Sequence, residues 1–196
     1  MRHFYLFVYF CMVILPVNDL PVFKQKTLQW ASSFDAVCYL DSNGFNDPYG
    51  KFDTLIAIGA RDEVTASAGN AFDQLATFRQ NNPGWITGFF GYDLKNEIEQ
   101  LSSSNPDGLH FPDLYFFAPQ HLIVITGDKA AIISDNSQQV LDSIDQQKLT
   151  DHSVQPAIGL QARFSKQEYI DAVTGVQEHI NRGDIYVTNF CQEFFA

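Results

Sequence analysis

Two β-prone runs, Leu-Ile-Val-Ile-Thr at 122–126 and Ala-Ala-Ile-Ile-Ser at 130–134, are divided by Gly127-Asp128. So short a polar break between apolar runs makes a hairpin, and a hairpin makes its strands antiparallel neighbours. That constraint sets the fold class. Further β-prone runs stand at 34–40, 52–59 and 114–117, and an aromatic one, Trp-Ile-Thr-Gly-Phe-Phe-Gly-Tyr, at 85–92. Gly88 and Gly91 inside it point to a bulge or a close backbone approach. Residues 4–15 are apolar and rich in aromatic and β-branched side chains. They are too short to span a bilayer, and Pro16 to Pro21 offers no small-residue cleavage site, which favours a buried strand over a signal peptide.

Helical spacing appears between these runs. Phe23, Thr27, Leu28, Trp30 and Ala31 share a face over 22–33, and Phe72, Leu75, Ala76 and Phe78 do so over 63–80, where Pro83-Gly84 ends the pattern. Asp93 starts a short helix through Leu101, and another helix includes Val140 and Ile144. The expected architecture is α+β: largely antiparallel sheets with helices packed outside, over residues 1–145. A polar linker covers 146–161.

Residues 162–196 change character. Ser165-Lys166-Gln167-Glu168 is a capping box. Tyr169, Val173, Val176 and Ile180 form one stripe, and Gly183 stands where a left-handed helix stop belongs. The run from Asp184 to Phe195 reads as a long strand. A helix and a strand cannot bury an apolar face by themselves, so this segment is expected either to dock on the preceding domain or to begin a domain whose partner strands lie elsewhere.

Composition removes several functions. The net charge is -11 and the basic residues are sparse, which disfavours nucleic acid. Trp85, Phe89, Phe90 and Tyr92 are therefore read as aromatic core, not a base-stacking platform. Three scattered cysteines give no disulfide framework and suit a cytoplasmic setting. The histidines lack HExxH or zinc spacing, GxGxxG and GKS/T are absent, and no membrane span is expected. Glu178-His179 points to two helix faces and is read as solvated.

Phe164-Ser165 with Tyr169, followed by Gly183-Asp184-Ile185-Tyr186 and Asn189, resembles the opening of the chorismate-binding domain of the aminodeoxychorismate synthase and anthranilate synthase component I family. Val187-Thr188 departs from it, where the family commonly has Gln or Glu followed by Val. Leu40-Asp41-Ser42 is similar to the family's Leu-x-Ser motif, Pro48-Tyr49-Gly50-Lys51-Phe52-Asp53 to its P-Y-x-[RK]-F-D, and the Trp85 to Asp93 segment to its W-x-G-x-x-G-Y-D. These motifs run through most of the chain in the family's order, and the tail Asn189 to Phe195 leans toward the aminodeoxychorismate branch.

The resemblance implies an anthranilate synthase component I-like N-terminal domain (1–145) and the first helix and strand of a chorismate-binding domain (162–196). It implies an enzyme that aminates chorismate to 4-amino-4-deoxychorismate, feeding 4-aminobenzoate and folate. Ammonia would come from a glutamine amidotransferase subunit. Mg2+ is expected for the full-length enzyme and not in this segment. The family's catalytic and metal-binding residues lie downstream, so none is assigned here and this segment alone is expected to be inactive. The alternatives are anthranilate synthase component I and, from another class, a non-catalytic tryptophan-binding or interaction module. The motifs fit isochorismate and salicylate synthases poorly. By the same resemblance Leu40, Ser42, Tyr49 and Phe52 line a tryptophan-like pocket. On residue chemistry alone, Leu40, Tyr49 and Phe52 read as core and Ser42 as a turn residue, and only the resemblance brings the pocket level with that reading. Asp184, Tyr186 and Asn189 are weighed as neighbours of the chorismate cavity against roles in a helix stop and strand pairing.

Overall fold

The computed structural model describes residues 11–45, 48–102, 107–149 and 158–196. The expected strand at 4–15 lies outside them up to residue 10, as do Asn46 and Asp47, the start of the 105–108 loop and most of the linker. The chain divides into two compact units, residues 1–149 and 150–196.

In the first unit the described strands are β1 (Cys11–Pro16), β2 (Val37–Asp41), β3 (Thr54–Ala66), β4 (Thr87–Phe90), β5 (Leu114–Thr126) and β6 (Lys129–Ser134). They form one sheet in the order β1-β6-β5-β3-β2, with β4 also paired to β5. Every pairing is antiparallel. The β5–β6 hairpin turns at Gly127, whose φ is 58°, with Leu122 opposite Ile133 and Thr126 opposite Lys129. Three helices accompany the sheet: α1 (Leu20–Ala31), α2 (Ala71–Asn81) and α3 (Ser137–Asp145).

Strand alternation builds the core. Ile56, Ile58, Ile123, Ile125, Ala130 and Ile132 face one way and are buried with Phe23 and Ala31 of α1 and Val140 and Ile144 of α3. The intervening residues Leu55, Ala57 and Leu122 turn to the opposite face and cluster with Ala36 and Phe117. One residue's slip would exchange the two sets, which fixes the register. Asp19 caps α1, accepting from the Val22 amide at 3.0 Å. α2 has no such cap from its own Asn70. The Glu97 carboxylate instead accepts from the Gly69 and Ala71 amides at 2.7 and 2.6 Å, a negative charge on the positive end of the helix.

Several expectations are corrected. Among the described residues β1 stands at the sheet edge, with Met12 56% and Ile14 59% exposed, where a buried strand was expected. The helix expected from 63 starts at Ala71, because residues 62–66 continue β3 against β5. The runs at 114–117 and 122–126 are one strand: Pro119, which lacks an amide donor, pairs with Ala60 where the register shifts, the kind of irregularity at which a strand tolerates proline. The segment after Gly91 is a 3-10 helix over Tyr92–Glu97, capped by Gly91 instead of Asp93.

Within the second unit, α4 (Lys166–Arg182) carries the full capping box, and Gly183 stops it at a φ of 83°. The long strand expected from Asp184 is absent. Only Phe194–Phe195 (β8) pairs, antiparallel to Gln161–Ala162 (β7). Arg163 joins the two by a bidentate pair to Glu193 at 2.9 and 3.1 Å, with its guanidinium 4.4 Å from the Phe195 ring centre. The stripe on α4 is not buried within this unit: no residue of the helix is.

Candidate functional site

β2 leaves the sheet at Asp41, and the chain reverses at once. Asn43 and Gly44 both take positive φ, 51° and 77°, and the Phe45 amide donates to the Ser42 carbonyl at 3.0 Å. Two left-handed central residues with that bond make a type I′ turn, for which Asn-Gly is the favoured pair. The Ser42 amide donates to the Asp53 carbonyl at 2.8 Å, which returns the chain to β3. Between the two arms lies a cavity of about 320 Å³ lined by Leu40, Asp41, Ser42, Phe45, Gly50, Lys51, Phe52 and Asp53. That volume is at the small end of ordinary ligand sites.

Of the four residues expected to form the pocket, Leu40, Ser42 and Phe52 meet here. Tyr49 is 91% exposed and is not among the lining residues. Leu40 and Phe52 also line a smaller apolar cavity of about 130 Å³ with Leu55, Trp85 and Leu122. The Phe52 and Trp85 rings stand edge to face with centres 6.5 Å apart. The larger cavity thus joins polar groups of the turn with the apolar side chains Leu40, Phe45 and Phe52, a combination suited to a ligand with one charged and one apolar end.

Asp41 is the group that sequence reading left without a role. Its carboxylate accepts from Lys24 Nζ on α1 at 3.0 and 3.2 Å, from the Asn43 amide at 3.0 Å and from Thr54 Oγ1 at 3.3 Å, and also from the Tyr39 hydroxyl. The Tyr39 bond foremost, with the Asn43 amide and Lys24, holds the Asp41 carboxyl down at about 2 against the cost of burial. Burial and the adjacent anion push Tyr39 up to about 12. Nothing in the sequence marks Lys24, seventeen residues away, as this partner.

Other expectations resolve differently. Trp85, Phe89, Phe90 and Tyr92 are 51, 40, 56 and 85% exposed, so they are surface rings and not core. Phe89 lies 6.2 Å from both Phe111 and Tyr115, and Phe90 4.9 Å from Phe116. They are on the surface because β4 is only four residues long and pairs to β5 alone. His179 is not simply solvated: Nδ1 lies 2.8 Å from Asp184 Oδ2, with Arg182 donating to the same oxygen at 3.0 and 3.1 Å. Asp184 therefore serves the helix end, and Tyr186 is 94% exposed. A wider cavity of about 670 Å³ lies elsewhere in the first unit, between Ser33–Ala36 and the β3 bulge, lined also by Tyr115 and Gln120.

Among the described residues no group of three or more His, Cys, Asp or Glu side chains could hold a metal ion. No helix among them is long and apolar enough to cross a membrane.

The chorismate binding enzyme family model matches residues 35–196, and the chain belongs to that family of enzymes. Over 119 residues it is 28% identical to an anthranilate synthase component I-like protein of Synechocystis sp. (strain ATCC 27184 / PCC 6803 / Kazusa), a match that covers 58% of this chain and 24% of that protein. The chain thus spans about a quarter of the length of this curated relative. Among solved structures it is similar to the menaquinone-specific isochorismate synthase MenF of Escherichia coli, at 14% identity and a TM-score of 0.39, over 86% of this chain and 37% of that one.

Proposed function

We propose that this chain is the N-terminal part of an aminodeoxychorismate synthase component I, a chorismate-aminating enzyme, and that the cavity beside Ser42 is an amino-acid site whose ligand has the size and character of tryptophan. The single observation that carries the site reading is the meeting of Leu40, Ser42 and Phe52 around one cavity. The turn supplies a hydroxyl, Lys51 a cation and Asp53 an anion, and an α-amino acid needs such partners. Phe52 and Leu40 supply apolar walls for an indole. Ser42 orients the ligand, and no residue here acts on chorismate chemically. Chorismate, a glutamine amidotransferase subunit and Mg2+ belong to the complete enzyme in this reading. The setting is cytoplasmic.

The likeness to the anthranilate synthase component I-like protein of Synechocystis favours a second reading, anthranilate synthase component I. The two differ in product. The polypeptide encoded by the continuous source reading frame, given chorismate, ammonium and magnesium, is expected to release 4-amino-4-deoxychorismate without pyruvate. Anthranilate with stoichiometric pyruvate would overturn the first reading in favour of the second. The 196-residue chain assayed alone is expected to turn over neither.

A further inference from the structure

The cavity's most heavily bonded group is not free to meet a ligand. Asp41 lines the cavity, yet its two oxygens accept from Lys24, Tyr39, Asn43 and Thr54. Two carboxylate oxygens offer about four acceptor sites, so these bonds leave no acceptor for a ligand ammonium. The same carboxylate holds the Asn43 amide and thereby one side of the turn that presents Ser42. Lys24 and Asp41 side chains are only 23 and 20% exposed, which limits screening of the pair by solvent.

We propose that Lys24 and Tyr39 are positioning residues of this site: by occupying Asp41 both fix the Ser42 turn, and Lys24, by balancing its charge, sets the site's preference for a zwitterion. This rests on the amino-acid reading given above. The charge count is direct. Among the described residues at the turn, Asp41 and Asp53 contribute two negative charges, and Lys51 and Lys24 two positive ones. Removing Lys24 leaves a surplus anion at the turn, which repels an anionic ligand and attracts a cationic one. Lys24 lies on α1, outside the motifs around 40–53, so the specificity of the turn depends on an element from another part of the fold.

The test uses calorimetry on the whole chain with L-tryptophan, indole-3-propionate (no ammonium) and tryptamine (no carboxylate). Lys24→Met is expected to weaken tryptophan about tenfold by freeing the turn, and Lys24→Arg to restore most of it. The loss for indole-3-propionate is expected to exceed that for tryptamine by about threefold or more. A purely structural role for Lys24 would weaken all three alike, and equal losses overturn the proposal. Should Lys24→Met unfold, Tyr39→Phe, which deletes one hydroxyl and keeps the ring, is expected to weaken tryptophan by about threefold, and unchanged affinity overturns it. If wild-type protein binds tryptophan and Lys24→Met binds equally well, the positioning claim falls and the site reading stands. If wild-type protein does not bind, the site reading falls and takes this inference with it.

Discussion

Gly88 is the position where one methyl group should do most damage. A Cβ built there would lie 1.9 Å from the Tyr115 carbonyl oxygen and 2.6 Å from the Phe116 Cα. Both are backbone atoms of the central strand β5, so neither can rotate away. Strand β4 would have to withdraw by more than an ångström, straining its pairing of Thr87–Phe90 with Leu114–Phe117 and the Thr87 hydroxyl bond to Cys38 Sγ. Overpacking of this kind costs about 1–3 kcal/mol, and two ladder bonds lost with it add about 1 kcal/mol each. Gly88→Ala should therefore destabilise the first unit by about 3–5 kcal/mol. For a domain of this size that lowers Tm by about 10 °C. Thermal and urea unfolding followed by circular dichroism would measure it. Gly84→Ala, where the added Cβ meets nothing within 4 Å, is the control and should stay within about 0.5 kcal/mol. A Gly88→Ala protein that melts within 2 °C of wild type (about the effect of 1 kcal/mol or less) would refute the close approach of β4 to β5.

Three further outcomes are expected. In α4, Gly175 has open space at its Cβ position, so Gly175→Ala should stabilise the helix by about 0.5–1 kcal/mol, read as added helicity or protection from amide exchange. Burial between Trp30 and Phe34 lowers the His121 pKa, partly opposed by Asp135. Neutral His121 is thus the folded form, and stability should fall as pH drops below the ordinary histidine value, until the depressed folded value is passed. A His121→Gln protein should show a flatter unfolding-versus-pH curve over that range, and an unchanged slope would contradict the assignment. The backbone amide of Ala71, foremost, holds the Glu97 carboxyl below its usual range. Its stabilisation is present above the unfolded value and lost as pH falls through the folded one, so Glu97→Gln should lower Tm at neutral pH and not in strong acid.

How far the sequence carried these conclusions depends on the range of the interactions involved. The α4 capping box, the Gly183 stop and the β5–β6 hairpin are local, decided within three or four residues, and they stand where pattern puts them. Gly88 signalled a close approach because a glycine inside an aromatic strand has few other uses, although the partner, Tyr115, was not legible. The extension of β3 through Arg61-Asp62-Glu63 was missed since charged residues suit a helix start as well as an exposed sheet edge. Its bulge falls beside the pair of Ala60 with Pro119, a partner on another strand that no local window contains. That Leu40, Ser42 and Phe52 meet around one cavity follows the neighbourhood of their motifs. The Lys24–Asp41 pair was not, because it depends on where α1 lies across the end of β2. Tyr49 was placed at the cavity by its motif neighbours, but the intervening turn leaves it outside the lining.

The most direct test of the amino-acid site is an NMR titration of the isotope-labelled chain with L-tryptophan. Saturable shifts concentrated on the amides of Ser42, Phe45, Gly50, Lys51, Phe52 and Asp53 are expected. No shifts at these residues, or shifts confined to Ser33–Ala36 and the Arg61–Glu63 bulge, would contradict the reading of this cavity as the site.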